Sequence, residues 1–222
     1  MSKTALIAGA TGLVGQELLQ ILLQGTQYEK IYAIGRRPLE IEHPKLRSIV
    51  CDFEKLDQVK EYFAVQDLFI CLGTTIKKAK TKEAMYRVDV DYPLTIARLA
   101  LEQGARHFLI ISSTNANANS FFWYPRMKGI LEEELQKIPY PSMSILQPAL
   151  LLGDRKEFRL GEHVASILCS RVLSKQSPLR RKLAVEAHTV ALAMCNIAQL
   201  NKKGIATYSN DQIIKIAKIE SP

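Results

Sequence analysis

The 222-residue sequence predicts an α/β protein, a parallel sheet with helices on both of its faces. Three observations lead there. Strand-like and helix-like segments alternate through the first two-thirds of the chain. The strand candidates are continuous apolar runs. Three glycines spaced by three follow the first of them. Alternation of this length builds right-handed parallel crossovers, and a strand covered on both faces carries apolar side chains at every position.

The elements follow in order. "TALIAG" (4–9) is the first strand, and "GQELLQILLQG" (15–25) is a helix with apolar residues at helical spacing, stopped by Gly25. "KIYAIG" (30–35), "LRSIVCD" (46–52), "DLFICLG" (67–73), "HFLIIS" (107–112) and "MSILQPALLLG" (143–153) read as further strands. Between them "EKLDQVKEYF" (54–63), the long "EAMYRVDVDYPLTIARLALEQG" (83–104) and "RMKGILEEELQK" (126–137) read as amphipathic helices. Past Gly153 the pattern changes: "GEHVASILCSRVL" (161–173) and "KLAVEAHTVALAMCNIAQL" (182–200) look helical, and "GIATYSN" (204–210) looks like a strand. Residues 1–152 are therefore expected to form one Rossmann-like, doubly wound nucleotide-binding domain. Residues 153–222, too few for an independent domain of usual size, are expected to form a small helical cap over the strand ends, the edge where open α/β sheets bind ligands.

The glycine stretch "GATGLVG" (9–15) gives that edge its chemistry. After a strand and before a helix, Gly9 permits the tight turn, Gly12 lets backbone approach a pyrophosphate, and Gly15 lets helix pack on strand. Thr11 belongs to the same loop, and the N–H groups of Gly12, Leu13 and Val14 are expected to face the anion at the positive helix end. At the end of the second strand, where an acidic residue would bind a ribose 2′-hydroxyl, the sequence has Arg36 and Arg37. Two guanidinium groups suit a 2′-phosphate, which predicts NADP(H) over NAD. Asp52, closing the third strand, is expected to accept from the adenine amino group with Phe53 packed nearby.

A second constellation follows the fifth strand: Ser112 and Ser113, then Tyr124 and Lys128 four apart. Chance alone predicts roughly 0.6 tyrosine–lysine pairs at this spacing in such a composition, so position carries the signal. Residues four apart share a helix face. One ammonium about 4 Å from a phenol supplies ~4 kcal/mol at an effective dielectric of 20. Bringing a tyrosine from its usual pKa of ~10 toward neutrality takes roughly 3–4 kcal/mol, so one lysine suffices. A serine hydroxyl holds the substrate oxygen; from the residues alone, Ser112 and Ser113 both qualify.

Composition narrows the rest. Apolar residues make up 47% and charged residues 23%, enough for a core without metal or disulfide support. Cys51, Cys71, Cys169 and Cys195 are far apart and form no CxxC pair, so buried free thiols in a reducing compartment are expected. His43, His107, His163 and His188 form no metal-binding motif, and no metal is expected. No apolar run approaches the ~18 residues of a membrane span, and the glycine-broken N-terminus reads as a first strand, so a cytoplasmic protein is expected. The net charge of +8 concentrates in "KKAKTK" (77–82) and "RRK" (180–182), neither interleaved with aromatic residues, so there is no clear nucleic-acid signal.

Taken together, "GATGLVG", "GRRP", "CLGTT", "YRVDVDYP", "HFLIISS", "YPRMKG" and "LQPALLLGDRKEFR" resemble the atypical short-chain dehydrogenases related to the human Tat-interacting protein, over nearly the whole chain. The resemblance implies a Rossmann fold, NADP(H), and a Ser–Tyr–Lys site in which Tyr124 is proton donor or acceptor, Lys128 its partner, and Ser113 rather than Ser112 the third member. It also implies Leu72 and Gly73 along the cofactor, Leu151 near the nicotinamide, and Arg159 near phosphate or substrate. Two departures stand out: Pro125 directly follows the tyrosine, and Gln147 stands where relatives often have arginine. Phe121, Phe122 and Trp123 either line a substrate pocket or pack as a hinge under the helix. The expected function is NADPH-dependent reduction of a small carbonyl compound. The alternative is an NADP-binding regulatory protein whose partner contacts depend on cofactor occupancy; sugar-nucleotide epimerisation, using the same residues, is disfavoured by the small C-terminal region. A homodimer is compatible with this layout, because helices flanking such sheets often pair between subunits.

Overall fold

Seven parallel strands form the central sheet of the computed structural model, which describes residues 3–152, 183–200 and 202–219. The strands are β1 (Lys3–Ala8), β2 (Tyr28–Gly35), β3 (Leu46–Val50), β4 (Asp67–Ile70), β5 (His107–Ile111), β6 (Ser142–Gln147) and, last in sequence, β9 (Gly204–Ser209). Their order is β3-β2-β1-β4-β5-β6-β9, so the chain reverses its winding between β1 and β4. A crevice opens there at the carboxyl ends of the strands, as in every doubly wound sheet.

The apolar runs are explained by two cores, one on each face. Alternate residues of a strand point to opposite sides. Leu6, Ala8, Leu68, Ile70, Phe108 and Ile110 enter one core; Ala5, Ile7, Phe69 and Leu109 enter the other. The first face is covered by helices α4 (Tyr92–Glu102) and α5 (Trp123–Gln136), the second by α1 (Leu13–Gln24) and α6 (Ala187–Gln199).

Several elements differ from the sequence expectation. The segment 54–63 is a 3-10 helix, Leu56–Phe63, kinked at Val59; its fully buried side chains lie only at its two ends, so no apolar stripe holds a straight α-helix. The long helix around residues 83–104 has three parts: α3 (Lys82–Tyr86), a π-helical segment (Arg87–Asp91) and α4. Pro93 supplies the reason, since it has no N–H for the Asp89 carbonyl and crowds it. The chain widens instead, and the Tyr92 N–H donates to the carbonyl of Arg87, five residues back. The strand expected over 143–153 breaks at Pro148, which cannot donate to a ladder. Beyond it β7 (Leu150–Leu152) leaves the main sheet and pairs in parallel with β8 (Ala184–Glu186), taking the start of the helix expected over 182–200.

The C-terminal region also differs. β9 pairs with β6 at the sheet edge, α6 packs beside α1, and α7 (Asn210–Ile216) follows β9. Residues 187–200 and 202–217 thus complete the Rossmann layers rather than cap the strand ends, so the boundary expected at 152/153 does not divide the sheet from a separate region. The remainder expected to form the cap, 153–182, lies outside the described residues. No helix among the described residues is long and apolar enough to cross a membrane.

Candidate functional site

The cleft at the β1/β4 reversal has a volume of about 290 Å³ and is lined by the glycine loop (Gly9, Ala10, Thr11, Gly12), the end of β2 (Gly35, Arg36, Arg37) and the run Cys71–Thr74 after β4. Two close approaches explain the glycines. Gly9 has φ +93°, and a β-carbon there would lie 2.6 Å from the Cys71 carbonyl carbon; one at Gly15 would lie 2.1 Å from the Gly9 oxygen. Helix α1 therefore starts hard against the loop, with no side-chain cap on Gly12 and no acidic residue in its first turn, which leaves its positive end to an anion. The Gly12 N–H is not free as expected: it donates to the Gly9 carbonyl at 2.9 Å, closing the turn. The first-turn N–H groups of Leu13 and Val14 are those left without intrahelical partners, while the Val14 side chain is buried in the core.

Arg36 and Arg37 are exposed and line the same cleft, as does Lys78 on the short helix α2 (Ile76–Ala79). Asp52 does not line it; its Oδ1 accepts from the Glu54 N–H at 3.1 Å and shapes the turn after β3. Phe53 does, with its ring 5.2 Å from that of Tyr92. Tyr92 donates to Glu54 at 2.8 Å. Leu72 and Gly73 line the cleft as expected, whereas Leu151 sits in β7 half-buried against the α1/α6 core and Arg159 lies outside the described residues.

Beyond β5 the two serines part company. The Ser112 hydroxyl, buried, donates to Glu132 on α5, whose carboxylate also accepts from Gln147 Nε2 at 2.9 and 3.0 Å. Burial pushes the Glu132 carboxyl above its usual range, while Ser112, Gln147 and the charge of Lys128 pull it back. Gln147, the departure noted in the sequence, is thus the amide that neutralises nothing but satisfies both Glu132 oxygens. The Ser113 hydroxyl oxygen is shielded and has no hydrogen-bond partner among the described residues. Ser112 is spent on structure and Ser113 remains.

Helix α5 begins at Trp123 with Phe122 as its cap, so Tyr124 and Pro125 lie in the first turn, where a missing N–H leaves no bond unmade. Tyr124 is half-buried; Lys128, one turn on, is 2% exposed. The lysine does not act alone. Its Nζ lies 2.8 Å from Asp89 Oδ1, out of hydrogen-bond alignment, and Asp89 Oδ2 accepts from the Thr74 N–H at 2.9 Å. Sequence reasoning counted the ammonium and missed its counter-ion. The signal was present: Asp89 stands four residues from both Met85 and Pro93, on a buried helix stripe where a carboxylate needs a partner. Of the aromatic run, Phe121 and Phe122 are exposed and touch each other edge-on, which rules out a packed hinge for both; Trp123 packs on the core, under the Lys82 ammonium.

Among the described residues no group of three His, Cys, Asp or Glu could hold a metal ion, and Cys51, Cys71 and Cys195 are free thiols. Burial pushes the Cys71 thiol up to about 12, so the cysteine on the cleft wall stays protonated.

Comparison with known proteins agrees with this layout. The model of the NAD dependent epimerase/dehydratase family matches residues 5–145. Protein HTATIP2 of Rattus norvegicus is 39% identical over 168 residues, 74% of this chain and 69% of the relative. The protein named "fmp52, mitochondrial" of Aspergillus niger is 34% identical over 203 residues, 88% of this chain and 86% of the relative. Among solved structures, MoeE5 in complex with UDP-glucose and NAD superposes with a TM-score of 0.67 at 14% identity, over 96% of this chain and 80% of that one. Uronate dehydrogenase from Agrobacterium tumefaciens does so with a TM-score of 0.69 at 11% identity, over 94% and 76%. The expectation of a cytoplasmic protein is corrected by the fungal relatives, which are named as mitochondrial proteins. With the family model spanning well over half of the chain and two relatives above 30% identity across most of it, this protein belongs to the NAD dependent epimerase/dehydratase family, with the Rossmann fold of the short-chain dehydrogenases.

Proposed function

We propose that the protein is an NADP(H)-dependent oxidoreductase of the short-chain dehydrogenase type, interconverting a small carbonyl compound and its alcohol. The observation that supports this reading best is that the glycine cleft flanked by Arg36 and Arg37 opens at the same carboxyl edge of the parallel sheet from which the chain leaves β5 toward Ser113 and α5 with Tyr124 and Lys128; these three do not themselves line the cleft. The cleft fits a dinucleotide: side chains are excluded at Gly9 and Gly15, and the start of α1 lacks any acidic or capping side chain.

When bound, the cofactor supplies a hydride at C4 of its nicotinamide. The chain's own residues do the rest. Arg36 and Arg37 grip the 2′-phosphate through charge-assisted bonds, the Leu13 and Val14 N–H groups meet the pyrophosphate, and Phe53 with Tyr92 packs the adenine. Leu72 and Gly73 run along the cofactor, with Leu151 toward its reactive end. Ser113, whose hydroxyl has no other described partner, donates to the substrate oxygen. Tyr124 gives that oxygen a proton as it gains charge in reduction and takes it back in oxidation. Lys128, on the same helix face, holds a positive charge beside the reacting groups.

The test is NADPH oxidation by purified protein against a panel of small aldehydes and ketones. Wild type turns over at least one, and Tyr124→Phe lowers kcat/KM by at least about 100-fold, the size of a general-acid contribution. Equal turnover by both removes the mechanism. Tight NADPH binding with no turnover on the panel favours the regulatory reading instead.

A further inference from the structure

We propose that Lys78 is the cation that answers the cofactor's pyrophosphate, reaching it from the β4 side of the cleft while the first turn of α1 meets it from the glycine loop; this rests on the dinucleotide part of the reading above. The charge of the cleft motivates it. Among the described residues that line the cleft there are three cations, Arg36, Arg37 and Lys78, and no aspartate or glutamate.

The sheet sets these cations on two sides. β1, whose carboxyl end carries the glycine loop, pairs with β2 on one side and with β4 on the other. Arg36 and Arg37 follow β2, whereas Lys78 follows β4 by way of Leu72 and Gly73. The densest basic run of the sequence, residues 77–82, is thereby divided. Lys78 lines the cleft, while Lys82 stands over the Trp123 ring, 5.8 Å from its centroid.

Helix α2 is a single turn, and both of its ends are fixed. Thr75, a buried residue, caps its start. The Thr75 Oγ1 accepts from the Lys78 N–H at 3.3 Å, and its carbonyl accepts from the Lys78 and Ala79 N–H groups at 3.0 and 2.9 Å. Ile76 and Ala79, three apart and so on one face, pack against the core. Lys80 closes the turn at φ +70°, its N–H donating to the Ile76 carbonyl at 2.8 Å. The backbone of Lys78 is held from both directions, and its exposed side chain borders the cleft.

Charge decides which phosphate it serves. A phosphomonoester carries about −1.5 to −2 near neutral pH, and Arg36 with Arg37 match that at the 2′-position with planar, bidentate donors. The pyrophosphate has much less. The glycine stretch 9–15 contains no basic residue, and the Gly12 N–H is spent on the Gly9 carbonyl. The end of α1 contributes only about half an elementary charge. A β-carbon is excluded at Gly9 and at Gly15, so no side chain of those positions can supply the rest. A lysine, a compact charge on a flexible stem, suits an anion lying over such a loop from the opposite wall.

The test compares Lys78→Ala and Lys78→Met, the latter keeping most of the stem, with wild type. Quenching of protein fluorescence is titrated with NADPH and, separately, with NADH. Both variants should bind both coenzymes at least about 10-fold more weakly, which corresponds to ~1.4 kcal/mol, with the ratio of the two affinities unchanged. Lys78→Arg keeps the charge and should stay within about 3-fold of wild type. The melting temperature without coenzyme should not move, because the side chain is exposed. Loss of NADPH affinity alone would assign Lys78 to the 2′-phosphate and overturn the proposal. Wild-type affinity for both coenzymes in both variants would overturn it as well. So would a loss that Lys78→Arg fails to recover together with a lowered melting temperature, which marks a structural role. Wild type that binds neither coenzyme would remove the dinucleotide reading itself and this proposal with it, an outcome seen before any variant is compared.

Discussion

Gly129 on α5 lies directly against Ala118: a β-carbon on the glycine would come within 2.0 Å of the Ala118 nitrogen and 2.2 Å of the Asn117 carbonyl carbon. The loop between β5 and α5, which carries Ser112 and Ser113 at its start, is thereby pressed onto the helix one residue past Lys128. The Asn117 N–H donates to the Pro125 carbonyl at 3.0 Å and fastens the same contact from the other side. Gly129→Ala forces backbone apart, and overpacking of this kind destabilises by roughly 1–3 kcal/mol or more. Urea denaturation should show that loss. Because the displaced loop carries Ser113, kcat/KM should fall in the folded variant by at least about 10-fold, while NADPH affinity changes little.

Gly9→Ala acts on the other half of the site. At φ +93° an alanine is strained, and its β-carbon would meet the Cys71 carbonyl at 2.6 Å, pushing β4's end from the loop. NADPH binding, followed by quenching of protein fluorescence, should weaken by more than about 10-fold, which corresponds to ~1.4 kcal/mol.

Arg36→Ala, Arg37→Ala together test the coenzyme preference. Hydrogen bonds to charged groups contribute about 1.5–3 kcal/mol each. The double variant should lose on the order of 100-fold or more in NADPH affinity and little in NADH affinity. Thermal shifts with the two coenzymes, compared between wild type and variant, read the difference directly; equal losses for both would point away from the 2′-phosphate.

Acid stability should depend on His107, at the opposite, N-terminal end of the strands. Burial pushes its pKa down to about 4, with Lys3 adding to the effect and Asp67 opposing it, so the 3.8 Å approach to Asp67 is made by a neutral ring at pH 7. The ring nitrogen Nε2 lies 3.0 Å from the Ser144 hydroxyl. The folded pKa is below the unfolded value of 6.5, so the unfolded chain binds the extra proton. Stability is then fully present above about 6.5 and falls as pH drops toward about 4, by ~3 kcal/mol across the window. Glu132, whose pKa is raised, contributes with the opposite sign: its share is present at low pH and lost as pH rises through its folded value. Urea unfolding between pH 4 and 7 should show the net acid loss in wild type and a flatter profile in His107→Gln.

Sequence alone determined the α/β class, six of the seven sheet strands in the amino-terminal two-thirds and the edge strand β9, because buried parallel strands and amphipathic helices leave periodicities that need no neighbours to be read. It also determined the glycine turn, where only a residue without a β-carbon satisfies Gly9 and Gly15, and it put Arg36 and Arg37 on the cleft, while the family resemblance put Leu72 and Gly73 there. Tertiary structure alone decided the rest. Which of Ser112 and Ser113 is hydrogen-bonded depended on Glu132, which is distant in sequence and takes up the Ser112 hydroxyl. Whether Lys128 carries an open charge depended on Asp89, brought there by a proline-induced widening of another helix. Whether the last strand belongs to a cap or to the sheet depended on a vacant edge beside β6. Local periodicity records which side of an element is buried; it holds no record of which buried polar groups will find one another, because those pairings are fixed only when separate elements pack.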